Sequence, residues 1–167
     1  MKIAILLPYK EDYTSKYAGA VSIHVSNLYK YSKYKKNIFI YGSTNLNKYL
    51  TSNYKNFLVN STFLASNNKK YLTKFIINQK YNESDIIEIH NRPNYVKKIF
   101  DNLKSKIILY FHNNPLEISG SSTTNDRLNL LKKCEYIFFN SNWTKDRFFK
   151  NINEELYHSK YGICFQS

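Results

Sequence analysis

The chain has 167 residues, enough for one α/β domain with its own hydrophobic core. Its 25 Lys and Arg outnumber 12 Asp and Glu, so the net charge of +13 either forms a solvated basic surface or serves an anionic partner: a membrane surface, a phosphorylated substrate or nucleic acid. Cys134 and Cys164 form no CxxC pair, and no apolar run is long enough to span a membrane. The first residues do not have the pattern of a secretory signal, so we expect a cytoplasmic protein.

The first predicted helix opens near Gly19 and ends in the run from Tyr29 to Lys36. Val21, Val25 and Leu28 recur at helical spacing, so we expect them to face a sheet.

Strands and a second helix complete the first half of the chain. Residues 43–66 have no regular pattern apart from one short apolar run. Asn67 and Asn68 are predicted to cap the second helix. The predicted strands are residues 2–7, 37–41 and 57–59, and the second helix runs from residue 67 to about residue 80.

Three near-continuous apolar runs in the second half each end in polar residues. Such runs are typical of strands buried on both faces of a parallel sheet. Ligands bind outside the carboxyl ends of the strands in open parallel sheets, so we expect a site there. The runs are Asp85–Ile89, followed by His90 and Asn91; Lys106–Phe111, followed by His112, Asn113 and Asn114; and Tyr136–Phe139, followed by Asn140, Ser141 and Asn142.

The segments between these runs predict helices and one loop. Pro93 suits the first turn of a helix that continues to about Leu103. The small, polar residues from Pro115 to Thr123 predict a mobile loop. The repeated β-α-β order predicts a Rossmann-like, doubly wound α/β fold, with a mostly parallel sheet and helices on both faces, in one domain of residues 1–167. Further expectations are a helix to Lys133 capped by Asn125 or Asp126, a helix through Phe149 capped by Ser141 or Asn142, and a last strand at Leu156–Lys160.

Several common site motifs are absent from the sequence. No GxGxxG follows the first strand, and no GxxxxGK[ST] occurs, so neither a usual nicotinamide dinucleotide site nor a P-loop is expected. No His or Cys pair has the spacing of a zinc site, and no GxSxG marks a hydrolase. The polar residues at the strand ends therefore remain the main functional feature.

Five segments resemble, in order, the N-terminal half of retaining GT-B glycosyltransferases of the group 1 (family 4) type. Departures are Ala18 for the first glycine of a pair, Val21 and Ser22 where Glu-Arg is frequent, and Tyr161 where Asn is usual. The segments are Ala18–Leu28, similar to the family's glycine loop and first helix; Asp85–Pro93 and Ile108–His112, similar to two strands; Tyr136–Lys145, similar to its strand-Ser-helix; and Tyr161–Ile163, similar to its interdomain link.

The resemblance implies an enzyme that moves a sugar, of the hexosyl type, from a nucleotide-sugar donor to a glycan or glycolipid hydroxyl with retention. It implies no cofactor, no metal and no nucleic-acid partner. The family's second domain, with its Glu-x7-Glu motif, is not in these 167 residues. We therefore expect an acceptor-side domain, either excised from a longer enzyme or a natural half-enzyme, with little or no transferase activity alone.

The resemblance also assigns His112 a catalytic role. Its polar atoms would lie against the donor sugar and steady the developing oxocarbenium charge, although a satisfied structural histidine is the alternative. Gly19 would let backbone N–H groups approach a phosphate, or would only form a tight turn. No spacing singles out a catalytic base among the loop carboxylates Glu11, Asp12 and Glu117.

The other strand-end candidates each have two interpretations. His90, Asn91 and Arg92 would line the acceptor side, with Arg92 suited to a phosphate or carboxylate. Alternatively, they cap the helix that starts at Pro93. The remaining substrate-binding candidates are Asn113, beside His112, and Ser141 with Asn140, which alternatively cap the next helix.

A basic and aromatic run suggests a peripheral contact with the inner face of a membrane. Tyrosine rings suit the lipid headgroup boundary, and lysines attract anionic lipid, whereas a solvated helix end is the alternative. For the whole chain, two rivals stay open: a basic nucleic-acid-binding module and a non-catalytic doubly wound interaction domain. The membrane-contact candidates are Tyr31, Lys33, Tyr34, Lys35 and Lys36.

Overall fold

The computed structural model describes residues 1–60 and 65–165. The chain forms two compact units, Met1–Asp85 and Ile86–Ser167. In each unit the paired strands run parallel and alternate with helices, so the predicted Rossmann-like α/β fold is confirmed. Within the described residues, every helix is too short or too polar to cross a membrane.

The first unit contains three parallel strands in the order β3-β2-β1. In their register Ile3 lies beside Ile38, and Ile40 beside Tyr54. The strands are β1 (Ile3–Leu6), β2 (Ile38–Gly42) and β3 (Tyr54–Asn56), and the helices are α1 (Ala20–Tyr31) and α2 (Asn67–Tyr81).

Helix α1 covers one face of these strands. Val21 and Val25 are buried against β1 and β2, as predicted. Leu28 was predicted to face the sheet as well, but it is exposed, because Tyr29 packs against the end of this cluster instead. The other members of the cluster are Ile5, Leu7, Tyr13, Ile38, Ile40 and Tyr54.

The third strand lies three residues earlier than predicted. Tyr54 pairs with Ile40 and its ring stacks on Tyr13, so this tyrosine supplies the buried side chain of the strand. The prediction for residues 57–59 was wrong because it took apolar character for burial, whereas Leu58 is 55% exposed.

Helix α2 is tied to the carboxyl ends of β1 and β2 by a buried hydroxyl. The Tyr71 hydroxyl lies 3.0 Å from the Leu7 carbonyl oxygen and 3.1 Å from that of Tyr41. Ser66 caps the helix by accepting from the Lys69 amide, so the predicted cap at Asn67 and Asn68 was one to two residues late.

The second unit contains four parallel strands in the order β4-β5-β6-β7. The predicted strand at Leu156–Lys160 was wrong: Leu156 lies exposed in a 3-10 turn, and the strand follows that turn. Its strands are β4 (Ile86–His90), β5 (Lys106–Phe111), β6 (Tyr136–Phe139) and β7 (Tyr161–Ile163), and its helices are α3 (Val96–Phe100), α4 (Thr124–Lys133) and α5 (Asn142–Phe149).

The strands of this unit alternate between two faces, and burial on both faces, as predicted, is complete only near their carboxyl ends, where His90 and Tyr110 are buried. One face is buried, and its Phe111 and Phe139 pack against Phe148 of α5. Side chains of the opposite face include half-buried Glu88 and Phe138. This alternation lets β4 carry polar groups on one face while the other face forms the core.

The segment predicted as a mobile loop is packed and hydrogen-bonded. The Ser121 hydroxyl donates to the Pro115 carbonyl over 2.6 Å. Buried Arg127 donates to the carbonyls of Ser121 and Ser122, each over 3.1 Å. Thr123 caps α4 in a capping box with Asp126, so the predicted cap at Asn125 or Asp126 was too late.

Candidate functional site at the strand ends

Two histidines meet at the carboxyl ends of β4 and β5. His90 Nδ1 lies 2.8 Å from His112 Nε2, and His90 Nε2 lies 2.6 Å from Glu88 Oε1. His90 is fully buried, Glu88 has 18% of its side chain exposed, and His112 is half-buried. The three groups form a continuous carboxylate-imidazole-imidazole chain, here called the Glu88 relay.

The relay follows from strand geometry. Glu88 and His90 are two residues apart on β4, so their side chains lie on the same face. His90 is in register with Tyr110, and His112 follows Tyr110 by two residues. The strand-end rule predicted the convergence of the two histidines. Glu88 was not predicted, because its only signal was a carboxylate inside an apolar run.

Tyr110 separates the relay from the next strands. Its ring stacks on His112 at 4.5 Å and on His90 at 5.4 Å between centroids. Its hydroxyl donates to the Cys164 carbonyl. Burial, together with that hydrogen bond, raises the pKa of Tyr110 well above its ordinary value, so the ring stays neutral.

Two asparagines hold the backbone of His112. Asn91 Oδ1 accepts from the His112 amide over 3.4 Å, and Asn140 Nδ2 donates to the His112 carbonyl over 2.8 Å. Asn91 is buried and has a φ of 53°, a left-handed conformation that asparagine tolerates better than most residues. These bonds fix the position from which the His112 ring projects.

The remaining candidates of this unit are placed as follows. Arg92 is half-buried, and its Nη1 donates to the Asn91 carbonyl over 3.0 Å, with no side-chain cap on the turn at Pro93. Asn113 is exposed beside His112. Ser141 caps α5 by accepting from the Thr144 amide over 3.2 Å, which is the capping role left open by the sequence.

Gly19 belongs to the other unit and lies at the start of α1. The Glu11 carboxylate accepts from the Ser22 amide over 3.2 Å, and a Cβ at Gly19 would collide with that carboxylate. The chain's own acid therefore takes up an amide N–H at the helix start that had been suggested for a phosphate.

A polar cavity of about 520 Å³ lies in the first unit, past the carboxyl ends of β1 and β2. Thr44 Oγ1 donates to Asp12 Oδ1 over 2.5 Å on its wall. Ser43 and Thr44 were not predicted as site residues, although they directly follow β2 and obey the same strand-end rule. The cavity is lined by Tyr9, Lys10, Asp12, Ser43, Thr44, Asn45, Leu46, Val59 and Asn67.

The run proposed for membrane contact lies at and beyond the end of α1. All five candidates are exposed: Tyr31 by 78% and Tyr34 by 44%, together with Lys33, Lys35 and Lys36. Lys30 and Lys33 lie over the rings of Tyr31 and Tyr34, at 5.3 and 5.2 Å from the centroids. In residues 1–60 and 65–165, no group of three or more His, Cys, Asp and Glu residues could hold a metal ion.

Solved structures show where else this fold occurs. The chain is similar to the lipopolysaccharide outer core galactosyltransferase WaaB, with a TM-score of 0.67 at 15% identity over 99% of this chain and 46% of WaaB. It is also similar to HepE from Anabaena in complex with UDP, with a TM-score of 0.61 at 14% identity over 99% of this chain and 44% of HepE.

A third similar structure is UGT71G1 from Medicago truncatula complexed with UDP-glucose, with a TM-score of 0.52 at 9% identity over 99% of this chain and 51% of that protein. No family model and no curated protein sequence matches this chain. The solved structures are GT-B glycosyltransferases, so this chain has the fold of one GT-B domain, and it spans about half the length of the proteins it matches.

Proposed function

We propose that the chain is the N-terminal, acceptor-side domain of a retaining GT-B glycosyltransferase of the group 1 (family 4) type. The whole protein would transfer a hexosyl group from a nucleotide sugar to a hydroxyl of a growing surface glycan or glycolipid. The observation that carries this proposal is the placement of His112 at a strand end, where the Glu88 relay holds its ring and two asparagines hold its backbone.

The reaction gives His112 a defined task. The bond between the anomeric carbon and the nucleoside diphosphate breaks, and the acceptor oxygen bonds to that carbon on the same face. The acceptor proton leaves with the diphosphate, and positive charge develops on the sugar ring in between. A fixed ring with a lone pair directed at this charge would stabilise it without reorganisation.

The donor class is supported by the similar structures, since HepE was solved with UDP and UGT71G1 with UDP-glucose. Uridine diphosphate sugars are therefore the first donors to test. For the acceptor, the proposed contacts are His90, Asn91 and Arg92, which lie at the same strand end as His112, with Arg92 suited to a phosphate or carboxylate. No cofactor and no metal is part of this proposal.

The same proposal includes a peripheral position on the inner face of a membrane. The exposed Tyr31 and Tyr34, with the lysines around them, combine aromatic rings and positive charge at the end of α1 and in the turn that follows it. Anionic lipid attracts such a surface, and a lipid-linked acceptor would be found there.

The proposed transfer activity is tested with the whole protein that the natural gene encodes. Purified protein is incubated with a panel of nucleotide sugars and with glycan and lipid-linked acceptors, and the product's anomeric configuration is read by NMR. We expect transfer with retention, and a His112→Ala change that lowers kcat/KM by about 100-fold or more. His158→Ala, which alters an exposed histidine of the same unit, is the matched control.

Three results would overturn the proposal: no transfer with any donor, transfer with inversion, or equal loss in both histidine variants. Tight and steeply salt-dependent binding to an oligonucleotide would instead favour the nucleic-acid-binding alternative.

A further inference from the structure

We propose that Glu88 and His90 are positioning residues that dictate which ring nitrogen of His112 carries a proton. His112 would be held with the proton on Nε2 and a lone pair on Nδ1. The relevance of this tautomer to sugar transfer rests on the proposed function. The tautomer itself is inferred from the geometry of the relay alone.

The contact between Glu88 and His90 fixes the proton position on the His90 ring. An ionised carboxylate only accepts hydrogen bonds. Glu88 Oε1 lies 2.6 Å from His90 Nε2, so this nitrogen must carry the proton and donate it. In a neutral imidazole, a proton on Nε2 leaves a lone pair on Nδ1.

The proton position on His90 in turn determines the proton position on His112. His90 Nδ1 and His112 Nε2 are 2.8 Å apart, a distance at which one nitrogen must donate and the other accept. When His90 is neutral, its Nδ1 holds a lone pair, so His112 Nε2 is the donor, whereas a doubly protonated His90 would reverse this direction. Two lone pairs facing each other would leave a buried polar contact unsatisfied, which costs about 1–3 kcal/mol.

The rings are held in this arrangement by their surroundings. His90 is fully buried, and Tyr110 stacks on both rings, so a flip of either ring would break packing as well as the relay. The backbone of His112 is fixed by Asn91 and Asn140. The relay therefore sets the hydrogen-bonding character of a ring whose position is already determined.

The consequence concerns the donor sugar. An imidazole with its lone pair on Nδ1 accepts a hydrogen bond from a sugar hydroxyl and stabilises an electron-poor anomeric centre. A ring with the proton on Nδ1 would repel that charge. We therefore expect a donor sugar that presents a hydroxyl to His112, and lower transfer from the matching deoxy sugar.

The tautomer is measured directly in the chain of 167 residues. Histidine labelled with ¹⁵N is observed by long-range ¹H–¹⁵N correlation at pH 8, where an unperturbed imidazole is neutral. The four histidines are assigned from single substitutions. We expect His112 in the Nε2–H form alone. The Nδ1–H form in the unsubstituted protein would overturn the proposal without any variant.

The variant Glu88→Gln tests the origin of the tautomer. A glutamine amide both donates and accepts, so it no longer dictates the proton position on His90. We expect a mixture of both tautomers at His112 in this variant. Glu135→Gln is the matched control, since Glu135 is exposed and pairs with Lys106 outside the relay. An unchanged His112 in Glu88→Gln, or equal change in the control, contradicts the proposal.

Activity of the whole protein gives a second readout. If the tautomer acts on the transition state, Glu88→Gln lowers kcat by roughly tenfold or more while KM stays the same. A protein with the expected tautomer and no transfer activity would refute the proposed function and leave this inference standing. A protein with transfer activity and the Nδ1–H tautomer at His112 would refute this inference and leave the proposed function standing.

Discussion

Gly120 lies directly against the backbone of Asn94. A Cβ added at Gly120 would stand 2.7 Å from the Asn94 amide nitrogen, and the glycine has a φ of 94°, which L side chains rarely adopt. The segment that follows His112 thus meets the start of the turn that follows His90, and only glycine permits that approach.

Replacing Gly120 with alanine should destabilise the second unit. Both the collision with the Asn94 backbone and the positive φ oppose a side chain, and we expect a loss of roughly 1–3 kcal/mol in the free energy of unfolding. The measurement is chemical denaturation followed by circular dichroism. Ser119→Ala, at the exposed neighbouring residue, is the control and should change stability by less than about 0.5 kcal/mol. Equal stability of the two variants would contradict this close packing.

Reversing the charge of Lys33, Lys35 and Lys36 should weaken binding to anionic vesicles. Each lysine near an anionic surface contributes about 1 kcal/mol, so changing the three to glutamate should lower the partition coefficient by about 100-fold or more. Co-sedimentation with vesicles containing phosphatidylserine measures this effect. The matched control is Lys104, Lys132 and Lys150 changed to glutamate, three exposed lysines of the other unit. An equal loss in both variants would mean that net charge, and not this surface, drives binding.

Stability should fall steeply above pH 10. Burial raises the pKa of Tyr13, Tyr41, Tyr54 and Tyr110 above the ordinary value of 10.0. Below pH 10 these tyrosines are protonated in both the folded and the unfolded state. Above it the unfolded state loses protons that the folded state keeps, so each group costs up to about 1.4 kcal/mol of stability per pH unit.

Denaturation midpoints measured between pH 8 and pH 11 test this dependence. Tyr110→Phe should make the alkaline slope shallower, because one buried hydroxyl no longer ionises on unfolding. Tyr31→Phe, at an exposed ring, should leave the slope unchanged. A slope identical in all three proteins would show that Tyr110 does not contribute to it.

The two cysteines should react at very different rates. Burial raises the pKa of the Cys134 thiol to about 12, so almost no thiolate forms at pH 8, whereas Cys164 is half-buried. A chromogenic disulfide reagent should therefore modify one thiol of the folded protein quickly and the second only after unfolding. Cys164→Ser should remove the fast phase. A fast phase of two thiols in the folded protein would contradict the buried position of Cys134.

The convergence of His90 and His112 could be predicted because it depends on one rule, that parallel strands end at the same edge. The register that brings His90 beside Tyr110, and so Glu88 into line with both histidines, could not. Register is set by packing across the whole sheet, and a carboxylate within an apolar strand gives no sign of its partner.

The missed strand positions have a common cause. Phe57-Leu58-Val59 and the pair Leu156-Tyr157 are locally apolar, but Leu58 and Leu156 are exposed. The strands that form instead depend on Tyr54 and Tyr161, which pack across to neighbouring elements. Tertiary contacts overrode local hydrophobicity at both places. The contact of Glu11 with the start of α1 could likewise not be predicted from the sequence, because it depends on how the loop that contains Glu11 folds back.

That contact makes Glu11 a built-in competitor. Its carboxylate, held by the Ser22 amide beside Gly19, already neutralises part of the positive end of the α1 dipole. A phosphate that binds at this helix start must first displace the Glu11 carboxylate, which belongs to the same chain and is therefore present at high local concentration. The affinity of this helix start for anions therefore depends on the displacement of the Glu11 side chain as well as on the charge of the anion.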